Sequence, residues 1–296
     1  MKTYVKLLKL GVFTLNDAVA VHGGSRNSAV FAVRFLLNNK LVESVKKNLY
    51  ICNDIENKLP VADKFKIGSS IAKDAYISHY SALEFHGFVY DYVDQWDFED
   101  EDQEDGSQID LDFNYGDRTD FQDGEHQNGD QNNTLKSTIY VSSSSKVKPF
   151  NYNGISYKPV ALKHDEGVMT YNKRLGTRVT NIERTVLDCL KDIDKAGGIE
   201  EFLACLCSIS FLDSDKLIEY LEMYNIQFLY QKAGYILEKF KFKLPPSFYE
   251  LCHERMSKSS RYLTNKCKGS MLYIADWKLL VSKDLIFYMD HGCDLY

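Results

Sequence analysis

No apolar run in this sequence reaches the roughly 18 residues that a membrane-spanning helix needs, and Lys6 and Lys9 interrupt the one candidate for a signal segment. A soluble, cytoplasmic protein is expected. The seven cysteines (Cys52, Cys189, Cys205, Cys207, Cys252, Cys267 and Cys293) form no C-x-x-C pair, which argues against a zinc site and against a secreted disulfide framework. Reduced thiols, several of them buried, are expected instead. Carboxylates are plentiful but lack metal-site patterning. Asp123-Gly124-Glu125 has neither the alternating ligands nor the bidentate Glu of a calcium loop. Gly68-Ser69 is followed by Asp74 with no second Asp two residues on, so the paired carboxylates of a nucleotidyltransferase magnesium site are missing. No cofactor is expected.

What the chain has is an uneven distribution of charge. Its 296 residues are 44% hydrophobic, enough for one small and one larger domain, and carry a formal net charge of -6. Residues 1-73 nevertheless hold 12 Lys and Arg against 5 Asp and Glu, while residues 91-130 hold 16 Asp and Glu against Arg118 alone. The acidic total therefore comes from one segment and leaves the N-terminus suited to phosphate contacts. That segment, about 91-133, is poor in core-forming side chains, and its composition predicts a disordered insertion.

Within the basic part, Val12 to Ile51 reads as a helix-turn-helix followed by a β-hairpin. Thr14 can cap a helix over Leu15-Val21, His22-Gly23-Gly24 stops it, and Ser25 can cap a second helix. Ala29, Ala32, Val33, Leu36 and Leu37 form one apolar stripe on that second helix. Ser25, Arg26, Asn27, Ser28, Phe31, Arg34 and Asn38 lie off the stripe, as on a helix that enters a major groove. Two β-rich runs then flank Lys46, Lys47 and Asn48, a cationic turn in which Asn48 suits a positive φ. An earlier segment with Tyr4, Val5, Leu7, Leu8 and Leu10 suits a supporting helix.

Further on, Lys58-Lys73 predicts a connecting helix. Ala75-Ser78 predicts a strand running into a helix that ends at His86-Gly87. Strands are expected over residues 137-142 and 154-162. Thr180 and Glu183 have the spacing of a capping box, and Glu183, Arg184 and Asp188 that of an intrahelical ion-pair set. Helices follow over 199-209, 214-224 and 226-240. After the break at Leu244-Pro245-Pro246 a last helix is expected, then a strand pair around Ile274 and Leu285. The expected class is α+β: a winged helix-turn-helix domain over 1-57, then a larger mixed α/β domain over 58-296 that carries the insertion. Independent apolar patterns predict that a cut after Asn57 separates the two.

These segments together resemble the AbiEi-type antitoxins, the regulator half of two-gene abortive-infection systems. The resemblance rests on the N-terminal pattern, on Tyr76-Ile77-Ser78-His79-Tyr80-Ser81-Ala82-Leu83, on Val179-Thr180-x-x-Glu183-Arg184-Thr185-x-x-Asp188, and on Gly234-Tyr235-Ile236-Leu237-Glu238. It implies double-stranded DNA, as operator repeats in the chain's own promoter, and a nucleotidyltransferase-like toxin as partners. It implies no enzymatic activity. Two departures from the family are the Lys46-Lys47-Asn48 tip, where arginine and glycine are common, and the acidic insertion. The alternative from another class is a DNA-associated metal-dependent nuclease, built on Asp276-Trp277-Lys278 with Asp165-Glu166 as a second acid. His79 and His86 lie two helical turns apart, but the sequence points to no third ligand, so a packed and a capping histidine are expected.

Overall fold

The computed structural model describes residues 2-89, 137-162, 164-240, 242-264 and 269-291. The acidic insertion expected at 91-133 lies outside the described residues. The chain opens with α1 (Lys2–Leu8), β1 (Val12–Thr14), α2 (Leu15–His22), α3 (Arg26–Asn38), β2 (Val42–Lys46) and β3 (Leu49–Cys52). The strands form an antiparallel sheet in the order β1-β3-β2. Tyr4, Leu7, Phe13, Ala18, Val33, Leu36 and Val42 close a small core between the three helices and this sheet.

Next come α4 (Lys64–Ser69), β4 (Tyr76–Ile77), α5 (His79–His86), β5 (Thr138–Ser143), β6 (Phe150–Tyr152), β7 (Ile155–Ala161), β8 (Val168–Tyr171) and β9 (Thr177–Thr180). The six strands form one mixed sheet in the order β6-β7-β5-β4-β9-β8. The helix expected across Lys58-Lys73 is much shorter. Asp54 holds a turn by accepting from the Glu56 and Asn57 amides, and Asp63 caps α4 by accepting from the Lys66 amide at 2.8 Å. Gly68 lets α4 lie close on the sheet, since a Cβ there would stand 2.8 Å from Ile77 Cδ1. The Gly68-Ser69 pair is thus a packing contact.

The remainder is α6 (Ile182–Lys191), α7 (Ile199–Cys207), α8 (Ser214–Tyr224), α9 (Gln227–Lys239), α10 (Pro246–Arg255), β10 (Arg261–Tyr262), β11 (Met271–Ile274), β12 (Leu279–Ser282) and α11 (Lys283–His291). The last three strands form a small sheet in the order β10-β12-β11. Leu285, expected in a strand, sits in α11 instead; the strand opposite β11 ends at Ser282, whose hydroxyl accepts from the Leu285 amide at 3.3 Å. The class is α+β.

Alternation along β5 divides the large core, as a two-residue period requires. Tyr140 joins the helices α5 to α9 in one cluster, while Ile139 and Val141 face the other way. There they meet Val12, Val45, Leu49 and Ile51 of the N-terminal sheet, together with Phe65, Ile67 and Tyr157. One apolar layer therefore runs across residue 57. The N-terminal unit keeps its own small core, and this second layer joins it to the larger half. Polar ties reinforce the layer: Tyr152 donates its hydroxyl to Glu43 at 2.9 Å, and Lys46 Nζ lies 4.6 Å from the Phe150 ring centre.

Cys52, Cys189, Cys205 and Cys252 are buried free thiols, whereas Cys207 is in a disulfide, contrary to the expectation of uniformly reduced cysteines. No helix among the described residues is long and apolar enough to cross a membrane.

Candidate nucleic-acid interface

Two caps fix the angle between α2 and α3. Thr14 and Asp17 make a reciprocal capping box: the Asp17 carboxylate accepts from the Thr14 amide at 2.7 Å, and Thr14 Oγ1 accepts from the Asp17 amide at 3.3 Å. Gly23 then ends α2 at φ 73°, the left-handed conformation that glycine adopts without strain. Ser25 caps α3 by accepting from the Ser28 amide at 3.2 Å, and the Ser28 hydroxyl donates to the Ser25 carbonyl at 2.8 Å. Both serines, expected as base readers, are thereby occupied in holding the helix start.

The outward face of α3 leaves four polar side chains exposed. Ala29, Val33 and Leu36 are buried, and Arg26, Asn27, Arg34 and Asn38 are exposed. Arg26 also donates to Asn16 Oδ1 of α2 at 3.3 Å, which steadies its guanidinium beside the face. The local field is positive for a second reason. Asp17 and Glu43 are the two carboxylates between Met1 and Asn53, and both are hydrogen-bonded internally, Asp17 in the cap and Glu43 to Asn53 at 2.7 Å and to Tyr152. The cations of α1 to β3 therefore outnumber the carboxylates, and both of those carboxylates have internal partners.

The hairpin differs from its expected role at two of three positions. Asn48 has φ 66°, as anticipated, but its side-chain oxygen accepts from the Leu15 amide at 3.2 Å and so ties the hairpin to the start of α2. Lys46 packs over Phe150, where burial lowers its pKa. Lys47 alone of the three is left as an exposed cation at the turn.

The residues of the family-like signature converge elsewhere, inside the larger half. Ser78 Oγ lies 2.8 Å from His79 Nδ1 and 2.7 Å from Ser142 Oγ. His79 is buried at φ 55°, and burial pushes its imidazole down to about 4, so the ring is neutral. Tyr80 donates to Glu201 at 3.1 Å; Ser81 donates to the Thr138 carbonyl and accepts from the Tyr140 amide, pinning α5 to β5. Arg184 donates from Nε to Asp188 at 3.0 Å and from Nη1 to the Glu166 carbonyl at 2.7 Å, and Tyr224 donates to the same Asp188 oxygen. Burial alone would lower the Arg184 pKa, but the charge of Asp188 outweighs it and keeps the guanidinium protonated.

Two details of this cluster correct the sequence reading. The helix cap is Asn181, which accepts from the Arg184 amide at 3.0 Å; Thr180 belongs to β9 and shares a 2.7 Å contact with the Thr185 hydroxyl. Glu183 completes no capping box and instead accepts from the Asp213 amide at 3.1 Å. All nine signature residues, Ser78, His79, Tyr80, Ser81, Thr180, Glu183, Arg184, Thr185 and Asp188, are buried. They hold the sheet and helices together and present no surface to a partner.

No family model and no curated protein matches the chain. A solved structure does. The crystal structure of the RV2827C protein from Mycobacterium tuberculosis aligns with a TM-score of 0.54 at 12% identity, covering 95% of this chain and 89% of that one. At that identity the likeness is one of fold. It runs nearly end to end, so it includes both the N-terminal unit and the larger half.

The residues considered for metal chemistry are dispersed. Asp276-Trp277-Lys278 forms the turn between β11 and β12, with Trp277 buried and Lys278 at φ 50°. His79 is enclosed, and His86 donates from Nε2 to the Thr180 carbonyl at 2.7 Å rather than capping its own helix. Among the described residues there is no group of three or more His, Cys, Asp or Glu able to hold a metal ion. Two features were missed by sequence reasoning. Phe35, which the sequence reading assigned to neither face of α3, is 60% exposed beside Phe31. Trp277 proves to be a core anchor, donating from its indole to Glu238 at 2.6 Å and stacking on His253 at 4.0 Å.

Proposed function

We propose that the N-terminal unit is a winged helix-turn-helix module that binds double-stranded DNA through α3, and that the chain is an antitoxin and autorepressor of its own operon. The observation that carries the DNA reading is the outward face of α3. Arg26, Asn27, Arg34 and Asn38 stand exposed on a helix capped by Ser25, and the two carboxylates between Met1 and Asn53, Asp17 and Glu43, are internally hydrogen-bonded. Arginine pairs with guanine and asparagine with adenine through two hydrogen bonds each, which suits these residues to base edges. Neutralisation of a nucleotidyltransferase-like toxin rests on the resemblance to AbiEi-type antitoxins. The nuclease alternative gains no support from the turn that carries Asp276-Trp277-Lys278.

A mobility shift with the DNA upstream of the chain's own gene tests the DNA reading. An Arg26→Ala, Asn27→Ala, Arg34→Ala variant is expected to lose specific binding, at about 1–3 kcal/mol for each base-reading side chain. Undiminished binding by the folded variant excludes α3 as the reader. Co-expression with the neighbouring gene tests the antitoxin reading: toxicity rescued by this chain supports it, and unrelieved or absent toxicity opposes it.

The hairpin is expected to contribute through Lys47. Lys47→Ala should weaken binding to all sequences alike and reduce the slope of log affinity against log salt by about one unit. Lys46→Ala is expected to leave the slope nearly unchanged, because its ammonium rests on Phe150. Salt titrations of the two variants check this; equal loss of slope in both would place Lys46 on the phosphates as well.

A further inference from the structure

Phe31 and Phe35 are 69% and 60% exposed, one helical turn apart, and neither joins the small core of the N-terminal unit. The position of Phe31 on the helix is specific. With 3.6 residues per turn, Asn27, Phe31, Arg34 and Asn38 fall within a sector of about 60°, directly opposite the buried Ala29, Val33 and Leu36; Phe35 lies about 40° beyond that sector, next to Phe31. Along the axis Phe31 falls between Asn27 and Arg34, at one side of the polar sector, in a surrounding field that is positive. That charge selects a polyanion as the occupant of this face.

Within a major groove the base edges offer hydrogen-bonding groups and one apolar group, the 5-methyl of thymine. An aromatic ring among hydrogen-bonding side chains has no other favourable partner there. We infer that Phe31 is a specificity residue that packs against a thymine methyl, so that the DNA recognised by α3 contains a thymine between the bases read by Asn27 and Arg34. The inference rests on the DNA reading given above. Phe31 lies about 6 Å along the axis from Asn27 and about 4.5 Å from Arg34, distances of one to two steps of about 3.4 Å between stacked bases.

Deoxyuridine lacks the methyl group and keeps every hydrogen-bonding group of thymidine, so it isolates this contact. The experiment measures binding of the full-length chain, by fluorescence anisotropy, to duplexes covering the DNA upstream of its own gene, made with thymidine or with deoxyuridine throughout. The parent chain is expected to bind the thymidine duplex more tightly, by about fourfold for each methyl group covered, the factor that corresponds to about 0.8 kcal/mol. Phe31→Ala is expected to melt at the parent's temperature, because the ring is 69% exposed and belongs to none of the core clusters, and to bind both duplexes equally. Specific binding with no preference between the duplexes overturns the thymine contact and leaves the DNA reading standing. Absence of specific binding to either duplex overturns the DNA reading and this inference with it. If Phe31→Ala keeps the thymidine preference but dissociates a parent dimer in sedimentation, the ring belongs to a contact between copies and the inference fails.

Discussion

Replacing Asp188 with alanine is expected to cost about 3–5 kcal/mol, a large share of the roughly 5–15 kcal/mol that holds an ordinary domain together. Arg184 is wholly buried, and Asp188 is its charge partner at 3.0 Å. Without the carboxylate, a guanidinium is stranded among Tyr76, Met223 and Tyr224 with only carbonyl and hydroxyl acceptors. Removing one member of a buried pair is worse than removing both, because the surviving charge has no water to solvate it. The Arg184→Leu, Asp188→Leu double variant should therefore lose less than Asp188→Ala alone. Urea denaturation of the three proteins checks this ordering. A single-variant loss below about 1 kcal/mol would show that solvent reaches the pair and that it does not fasten α6 to α8.

Gly234→Ala is expected to lower stability by about 1–3 kcal/mol or more, the range for overpacking a close-fitted core. A Cβ at this position would stand 2.1 Å from Cη2 and 2.2 Å from Cζ3 of Trp277, and the indole is held from several directions. It donates to Glu238 and stacks on His253, and the Trp277 backbone carbonyl accepts from Gln231 at 2.7 Å. Any shift that admits the methyl group gives up one of these. The emission of Trp277 should change with the variant. A thermal midpoint equal to the parent's would mean that the β11-β12 turn moves freely over α9.

Local chemistry made much of this legible from sequence. Thr14, Ser25 and Gly87 mark helix ends because their own side chains, or lack of one, satisfy or release the backbone at that point. Long-range pairing explains the failures. Thr180 and Asn181 are both competent caps, and the choice between them is made by β4, whose Ile77 pairs with Val179 and draws Thr180 into the sheet. Lys46 looks like a free cation until Phe150 is brought under it by the turn of a distant hairpin. The buried signature is the same kind of case. Sequence identified Arg184 and Asp188 as an ion pair, but not that the surrounding hydroxyls would enclose it completely.

The apolar layer shared by Val45, Leu49, Ile139 and Val141 has a mechanical consequence. A reading head on a flexible tether chooses its own orientation, and its two copies in an assembly adapt to many spacings. Here no tether intervenes. The direction in which α3 faces is inherited from the six-stranded sheet, as the aim of a tool is set by the handle to which it is welded. Should α3 read DNA as proposed, whatever brings two such chains together would dictate the distance and phase between the DNA segments they occupy at once. A cavity opened at Ile139, deep in the larger half, would then blur that phase while leaving every side chain on α3 intact.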